Sequence, residues 1–221
     1  MSGFATARQK MVDGQVRPND VTDIRILDAM LAVPREAFVP ASQRALAYLD
    51  LDLDISEGGA TKRVLIKPQV LAKMLQAAEI KPTDNVLVVG CPSGYSAAVV
   101  AHLASRVTTT ARDPDLVAKA GDCLAKLGFS NIQCVSANAA EGYAANGPYD
   151  VIVLAGASEI VPTGLYKQLA PGGRLLGVFA TAVPQRAVIV TRSHDDYGIR
   201  ALFDVAVPVL PGLERLPGFV F

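Results

Sequence analysis

The run Asn85-Val86-Leu87-Val88-Val89-Gly90-Cys91-Pro92-Ser93-Gly94-Tyr95-Ser96-Ala97-Ala98 sets a short β-branched segment against a glycine-containing turn, with an Ala-rich helical stretch behind it. Gly90 and Gly94 have no Cβ, so the backbone here can approach a ligand closely, and N–H groups at a helix start can meet an anion. Open α/β sheets present backbone to nucleotide-like ligands in this way. Gly90, Cys91, Ser93, Gly94 and Tyr95 are therefore candidate binding residues. A plain strand-to-helix turn that binds nothing makes the same local demands, and Pro92 removes one N–H from the loop.

Other chemistry-bearing side chains are sparse. Cys91, Cys123 and Cys134 are odd in number and lack metal-ligand spacing, so no metal site is expected. They read as reduced, mostly buried thiols; a redox role is the alternative for Cys91, near a helix start. His102 falls in the helix after the glycine loop and His194 in a hairpin turn, and neither has a Ser or Cys partner at hydrolase spacing.

The elements that must position the loop follow from periodicity. Residues 23–31 form a helical pattern that Thr22 or Asp23 can cap and Pro34 stops. Residues 50–60 read as irregular. Pro68 opens a helix through about Ala78, and Lys81-Pro82-Thr83-Asp84 is a turn. Strands are predicted at 86–89, 107–110, 132–135, 150–155 and 174–180, with helices near 96–104, 114–127, 139–145 and 161–169. Asp113-Pro114 is an N-cap and N1 pair, and Gly128 a helix-ending residue. Such alternation implies a parallel sheet covered on both faces. Gln185–Arg192 and Ile199–Val207 leave no room for a helix between them and should pair as an antiparallel hairpin.

The chain has 221 residues, 51% hydrophobic and 19% charged, with 21 Lys+Arg against 21 Asp+Glu. That size suits one α/β domain (81–221) with a small helical and loop extension (1–80) packed on it. A net charge of zero gives no electrostatic reason to bind nucleic acid or an anionic membrane. No apolar run reaches the roughly 18 residues of a membrane span, and the first ten residues lack the apolar core of a secretory signal. A cytoplasmic protein is expected, monomer or homodimer. Phe219, Val220 and Phe221 either cover the core or take part in a dimer contact.

Several stretches together resemble the protein-L-isoaspartate O-methyltransferase family, in the form of a diverged bacterial member. They are Met11–Pro18, Val33-Pro34-Arg35-Glu36-Ala37-Phe38-Val39-Pro40 with Ala47-Tyr48 after it, Gly90–Ala98, Gly147-Pro148-Tyr149-Asp150 and Gln168–Leu175. The resemblance implies a class I, Rossmann-like sheet of seven mostly parallel strands with a C-terminal antiparallel hairpin. It implies S-adenosylmethionine (SAM) as cofactor and an isoaspartyl protein or peptide as substrate, in a protein-repair reaction.

The same resemblance assigns pocket positions. Gly90, Cys91, Ser93, Gly94 and Tyr95 form the cofactor loop, and Asn138 and Ala139 stand where the family reads adenine. Val88 and Ala111 stand where the family carries acids, and Val64 and Ile66 where it carries Thr and Ser. Asp113, two residues beyond Ala111, could replace the ribose-binding acid or simply cap a helix. Arg63 and Lys67 could attract a carboxylate. No catalytic residue is assigned. These departures leave three readings open: a weakened isoaspartyl methyltransferase, a pseudo-enzyme kept as a protein-binding or regulatory module, and a methyltransferase for another substrate.

Overall fold

Short apolar strands alternating with amphipathic helices from residue 85 onward dictate a sheet buried on both faces. The computed structural model, which describes residues 3–57, 59, 61–194 and 196–216, has one. Its strands are β3 (Asn85–Val89), β4 (Arg106–Ala111), β5 (Ile132–Ser136), β6 (Tyr149–Ser158), β7 (Leu169–Phe179), β8 (Arg186–Ser193) and β9 (Asp196–Asp204). They lie in the order β5-β4-β3-β6-β7-β8-β9. The first five run parallel, and β8 pairs antiparallel with both β7 and β9. The expected sheet and its terminal hairpin are thus present. Central β3 and β6 are buried along almost their whole length, as strands covered on both faces must be. Edge strand β9 is largely exposed and carries Arg200 and Asp204, charges that discourage further pairing.

The extension before the sheet contributes α1 (Gly3–Met11), α2 (Ile24–Ala32) and α3 (Pro68–Ala78). Asp23 caps α2 by accepting from the Arg25 N–H at 2.9 Å. The stretch predicted as irregular at 50–60 contributes only the two residues of β1 (Leu53–Asp54), which pair antiparallel with β2 (Val64–Leu65); its other described residues are irregular. One apolar cluster runs from Met11 through Leu71 and Val99 to Val207 and joins the extension to one face of the sheet. Leu87, Ile152, Leu154 and Leu175 anchor a second cluster on the other face. Each such fully buried side chain is worth about 1.5–3 kcal/mol.

The remaining helices are α4 (Tyr95–Ala101), α5 (Pro114–Lys126) and α6 (Thr163–Tyr166). The helix predicted at 139–145 is absent. Asn138 O accepts from the N–H groups of Glu141 and Gly142, and Gly142 turns left-handed at φ +61°. The Gln168 side chain then takes the Tyr143 N–H and donates to Glu141 O, so a tertiary clamp replaces helical bonds. The helix expected at 161–169 shrinks to α6 because the chain enters β7 at Leu169, opposite Tyr149. Arg174 ties the far end together. It donates to Ala78 O and Glu79 O and pairs with buried Asp84 at 2.9 Å. The terminal residues Phe219–Phe221 lie outside the described residues.

Candidate functional site

The carboxyl ends of β3, β4, β5 and β6 open onto a cavity of about 320 Å³. The chain runs outward from β3 through β4 to β5, then returns to the other side of β3 as β6. The cavity therefore lies where strand order reverses, the place where open α/β sheets bind ligands. Its floor is made of small residues: Gly90 after β3, Ala111 ending β4, Ala137 and Ala139 after β5, and Ala155 in β6. One wall is the segment Thr61–Val64 with Ile66, entering and leaving β2. Another is Pro208–Pro211 from the C-terminal stretch. That stretch is held by one isolated parallel bridge: Ala157 N–H donates to Pro208 O and Leu210 N–H to Ala157 O, both at 2.9 Å.

The glycine loop is built tightly. Gly90 and Gly94 have φ +72° and +86°, values that disfavour a side chain. Between them Gly94 N–H donates to Cys91 O at 3.3 Å, closing a turn with Pro92 in second place, where a fixed φ near −65° suits it. Cys91 N–H donates to Thr110 O and Tyr95 N–H to Ser93 Oγ. Three of the loop's N–H groups are thus engaged within the protein, and Pro92 has none.

The lining is unevenly charged. Lys62, Arg63 and Arg112 line it together with a single carboxylate, Asp113. Asp113 works twice. Oδ1 accepts from the Asp115 N–H at 3.0 Å and caps α5, while Oδ2 pairs with Arg63 Nη2 at 2.9 Å across the mouth. The backbone of Arg63 is held by Ser56 Oγ, which accepts from its N–H at 2.7 Å, and by the Ile55 N–H on its carbonyl. A second ion pair, Lys119 with Glu57 at 3.6 Å, also links the β1–β2 loop to α5.

Behind the lip sits Arg35, fully buried. Its guanidinium donates to Ala47 O and Ile66 O, each at 2.8 Å, and lies 4.7 Å from the Tyr95 ring centroid. Burial pulls its pKa down from the usual arginine range, and neighbouring Tyr95 opposes that pull. Burial also pushes the Tyr95 hydroxyl up, against the effect of Arg35.

The residues singled out by sequence are dispersed. Gly90 and Ala139 line the cavity. Cys91 is buried beside it, and Ser93 borders a shallower neighbouring groove with Pro92 and Lys119. Gly94 faces Leu124 of α5. Tyr95 turns into the core, edge-on to Phe38. Asn138 is exposed, and its side-chain amide donates to Glu141. Val88 is fully buried within the sheet. Lys67 starts α3, with its N–H on Asp52. His102 is the C-cap of α4 and meets Phe129 edge to face. Sequence reasoning missed Ala155, Leu116 and the Pro208–Pro211 wall. The paired prolines around Val209-Leu210 were the one local sign of a rigid run there.

Residues 6–209 match the family described as protein-L-isoaspartate(D-aspartate) O-methyltransferase. The chain is 41% identical over 176 residues to a protein-L-isoaspartate O-methyltransferase of Koribacter versatilis, covering 80% of this chain and 78% of that one. It is 40% identical over 215 residues to protein-L-isoaspartate O-methyltransferase 1 of Rhodopseudomonas palustris, covering 96% and 86%. A solved protein-L-isoaspartate O-methyltransferase shares the fold at TM-score 0.83 and 22% identity, over 93% of this chain and 67% of that one. A Plasmodium falciparum structure of the same description, in complex with S-adenosyl-L-homocysteine, superposes at TM-score 0.77 and 19% identity, over 96% and 100%.

Proposed function

The chain belongs to the protein-L-isoaspartate(D-aspartate) O-methyltransferase family, and from that premise we propose that it methylates the free carboxylate of L-isoaspartyl residues in proteins, with SAM as donor and at reduced efficiency. The observation that carries this reading is the cavity at the strand-order reversal, floored by Gly90 and four alanines.

The donor set fits an adenosyl group. A floor without side chains beyond a methyl accepts a flat base by dispersion. Asp113 Oδ2 is a carboxylate acceptor on the wall, of the kind a ribose diol needs. SAM supplies an electrophilic methyl on a cationic sulfur. The substrate carboxylate, with a free pKa of about 4, is already ionised at neutral pH and needs no base. The chain's own task is alignment and dryness. Val64, Ile66 and Leu210 present apolar surface to the cavity and withdraw water from it.

Reduced efficiency rests on what the polar groups do instead. Val88 is core, Ala111 has no acceptor, and the loop N–H groups of Cys91, Gly94 and Tyr95 are already paired. Each charged contact replaced in this way forfeits about 1.5–3 kcal/mol of cofactor binding. The same reading makes the protein cytoplasmic, in keeping with three unbridged cysteines. Among the described residues no helix is long and apolar enough to cross a membrane.

The test is transfer of labelled methyl from SAM to an isoaspartyl peptide, with the aspartyl peptide as control. We expect a base-labile ester on the isoaspartyl peptide alone, formed slowly and readily measured at high enzyme concentration. A folded protein that transfers no methyl at saturating cofactor overturns the reading in favour of a binding module.

A further inference from the structure

We propose that Arg63 and Asp113 form a partner-exchange pair: Asp113 Oδ2 leaves Arg63 to accept the ribose hydroxyls of the adenosyl ligand, so the ion pair at the mouth competes with cofactor binding. The inference rests on the proposed function and adds the residue that competes with the sugar for that carboxylate.

Four observations carry it. Among the described residues lining the cavity, Asp113 is the one carboxylate, and Ala111 beside it offers no acceptor. Capping α5 uses only Oδ1, so Oδ2 can change partner without loosening the helix. The Arg63 backbone is fixed through Ser56 and Ile55, so exchange needs only a side-chain swing. Arg63 and Asp113 side chains are 20% and 36% exposed, open enough for water to solvate a released guanidinium. A partly exposed pair of this kind is weak and salt-sensitive, as an exchangeable contact must be.

The experiment is calorimetric titration of S-adenosylhomocysteine into the full chain, the Arg63→Gln variant and the Asp113→Asn variant. Asparagine keeps the helix cap while removing the charge, and melting curves verify the fold. Arg63→Gln should bind about two- to fivefold more tightly than the wild type, since the competitor is gone. Asp113→Asn should bind about tenfold more weakly or worse. Raising salt from about 0.01 to about 0.15 M, which cuts the screening length from about 30 to about 8 Å, should tighten the wild type and leave Arg63→Gln unmoved.

A purely structural ion pair gives a different pattern, in which both substitutions weaken binding or neither alters it. Either result overturns the exchange while wild-type binding keeps the cofactor assignment. A wild type that fails to bind S-adenosylhomocysteine overturns both.

Discussion

Leu210 occupies the space that Gly90 leaves by having no side chain. A Cβ at Gly90 would lie 2.6 Å from Leu210 Cδ2, and Gly156 meets the same methyl at 2.8 Å. Gly90, just beyond β3, and Gly156 in neighbouring β6 thus make a socket for one leucine from a segment more than fifty residues further along the chain. The leucine is part of the cavity wall.

Gly90→Ala should therefore do two things at once. The left-handed φ of +72° costs about 1–2 kcal/mol for a residue with a Cβ. The displaced Leu210 adds a packing loss of similar size. Urea unfolding reads the total. In a Leu210→Ala background the second part should vanish, leaving a coupling of about 1 kcal/mol in a double-mutant cycle. Strict additivity would mean that the socket bears no load.

Arg35→Ala removes two hydrogen bonds from a charged donor in a fully buried place. At about 1.5–3 kcal/mol each, with two carbonyls left bare, the expected cost is about 3–5 kcal/mol. One of those carbonyls belongs to Ile66, on the cavity lip. Hydrogen exchange should therefore quicken across the β1–β2 hairpin before it does so in β6. Uniform quickening would show that Arg35 supports the whole fold and not the lip.

Alkaline pH should weaken the fold over a defined window. Burial pushes the Cys134 thiol up to about 11 from an ordinary 9.0, with Cys91 nearby acting the same way. Burial pushes Tyr166 up to about 12 from 10.0. Each group is harder to ionise folded than unfolded. Above pH about 9 the unfolded chain sheds these protons first, so stability falls as pH rises through about 12. Below pH about 9 neither group contributes a slope. Urea midpoints should be level at pH 8 and 9 and fall at pH 10 and again at pH 11. Cys134→Ser should flatten the decline between pH 9 and 11, and an unchanged slope in that variant would remove the thiol from the account.

The sheet was legible because its strands obey a local rule. Val86–Val89, Val107–Thr110 and the strand that starts at Tyr149 are runs rich in β-branched residues cut by glycine, proline or aspartate, and local rules place each start within one residue, although the strand from Tyr149 runs three residues past its expected end. The helix at 139–145 failed because a distant side chain, Gln168, takes the bonds a helix would have made. The β1–β2 hairpin pairs only two residues on each strand, too few for an alternating pattern to register. The cavity was half legible. Gly90 announced itself through its turn, and Ala139 entered through the family resemblance. Leu210 and Pro208 line the same space only because their backbone zips onto Ala157, a pairing that nothing near either segment encodes. Tyr95 illustrates the reverse: it is adjacent to the loop in sequence, but its ring faces the core because helix α4 turns it away.

Ala111→Asp tests whether the sugar of the ligand sits at the end of β4. The Ala111 carbonyl accepts from the Ala137 N–H at 3.0 Å, so the backbone there is fixed by β5 and its continuation, and the substitution adds a carboxylate without moving the strand. Lys62 and Arg112 line the same cavity, which offsets the cost of placing a charge there. A carboxylate that meets the ribose diol should tighten S-adenosylhomocysteine by about tenfold or more, the worth of one charged hydrogen-bonding contact. Combining Ala111→Asp with Asp113→Asn sharpens the outcome. With an acceptor restored on β4, the loss caused by Asp113→Asn should shrink, because the two carboxylates would serve the same hydroxyls. Equal losses in both backgrounds would put Asp113 on some other part of the ligand. No gain from Ala111→Asp at all would move the sugar away from β4, and with it the adenosyl assignment of the alanine floor.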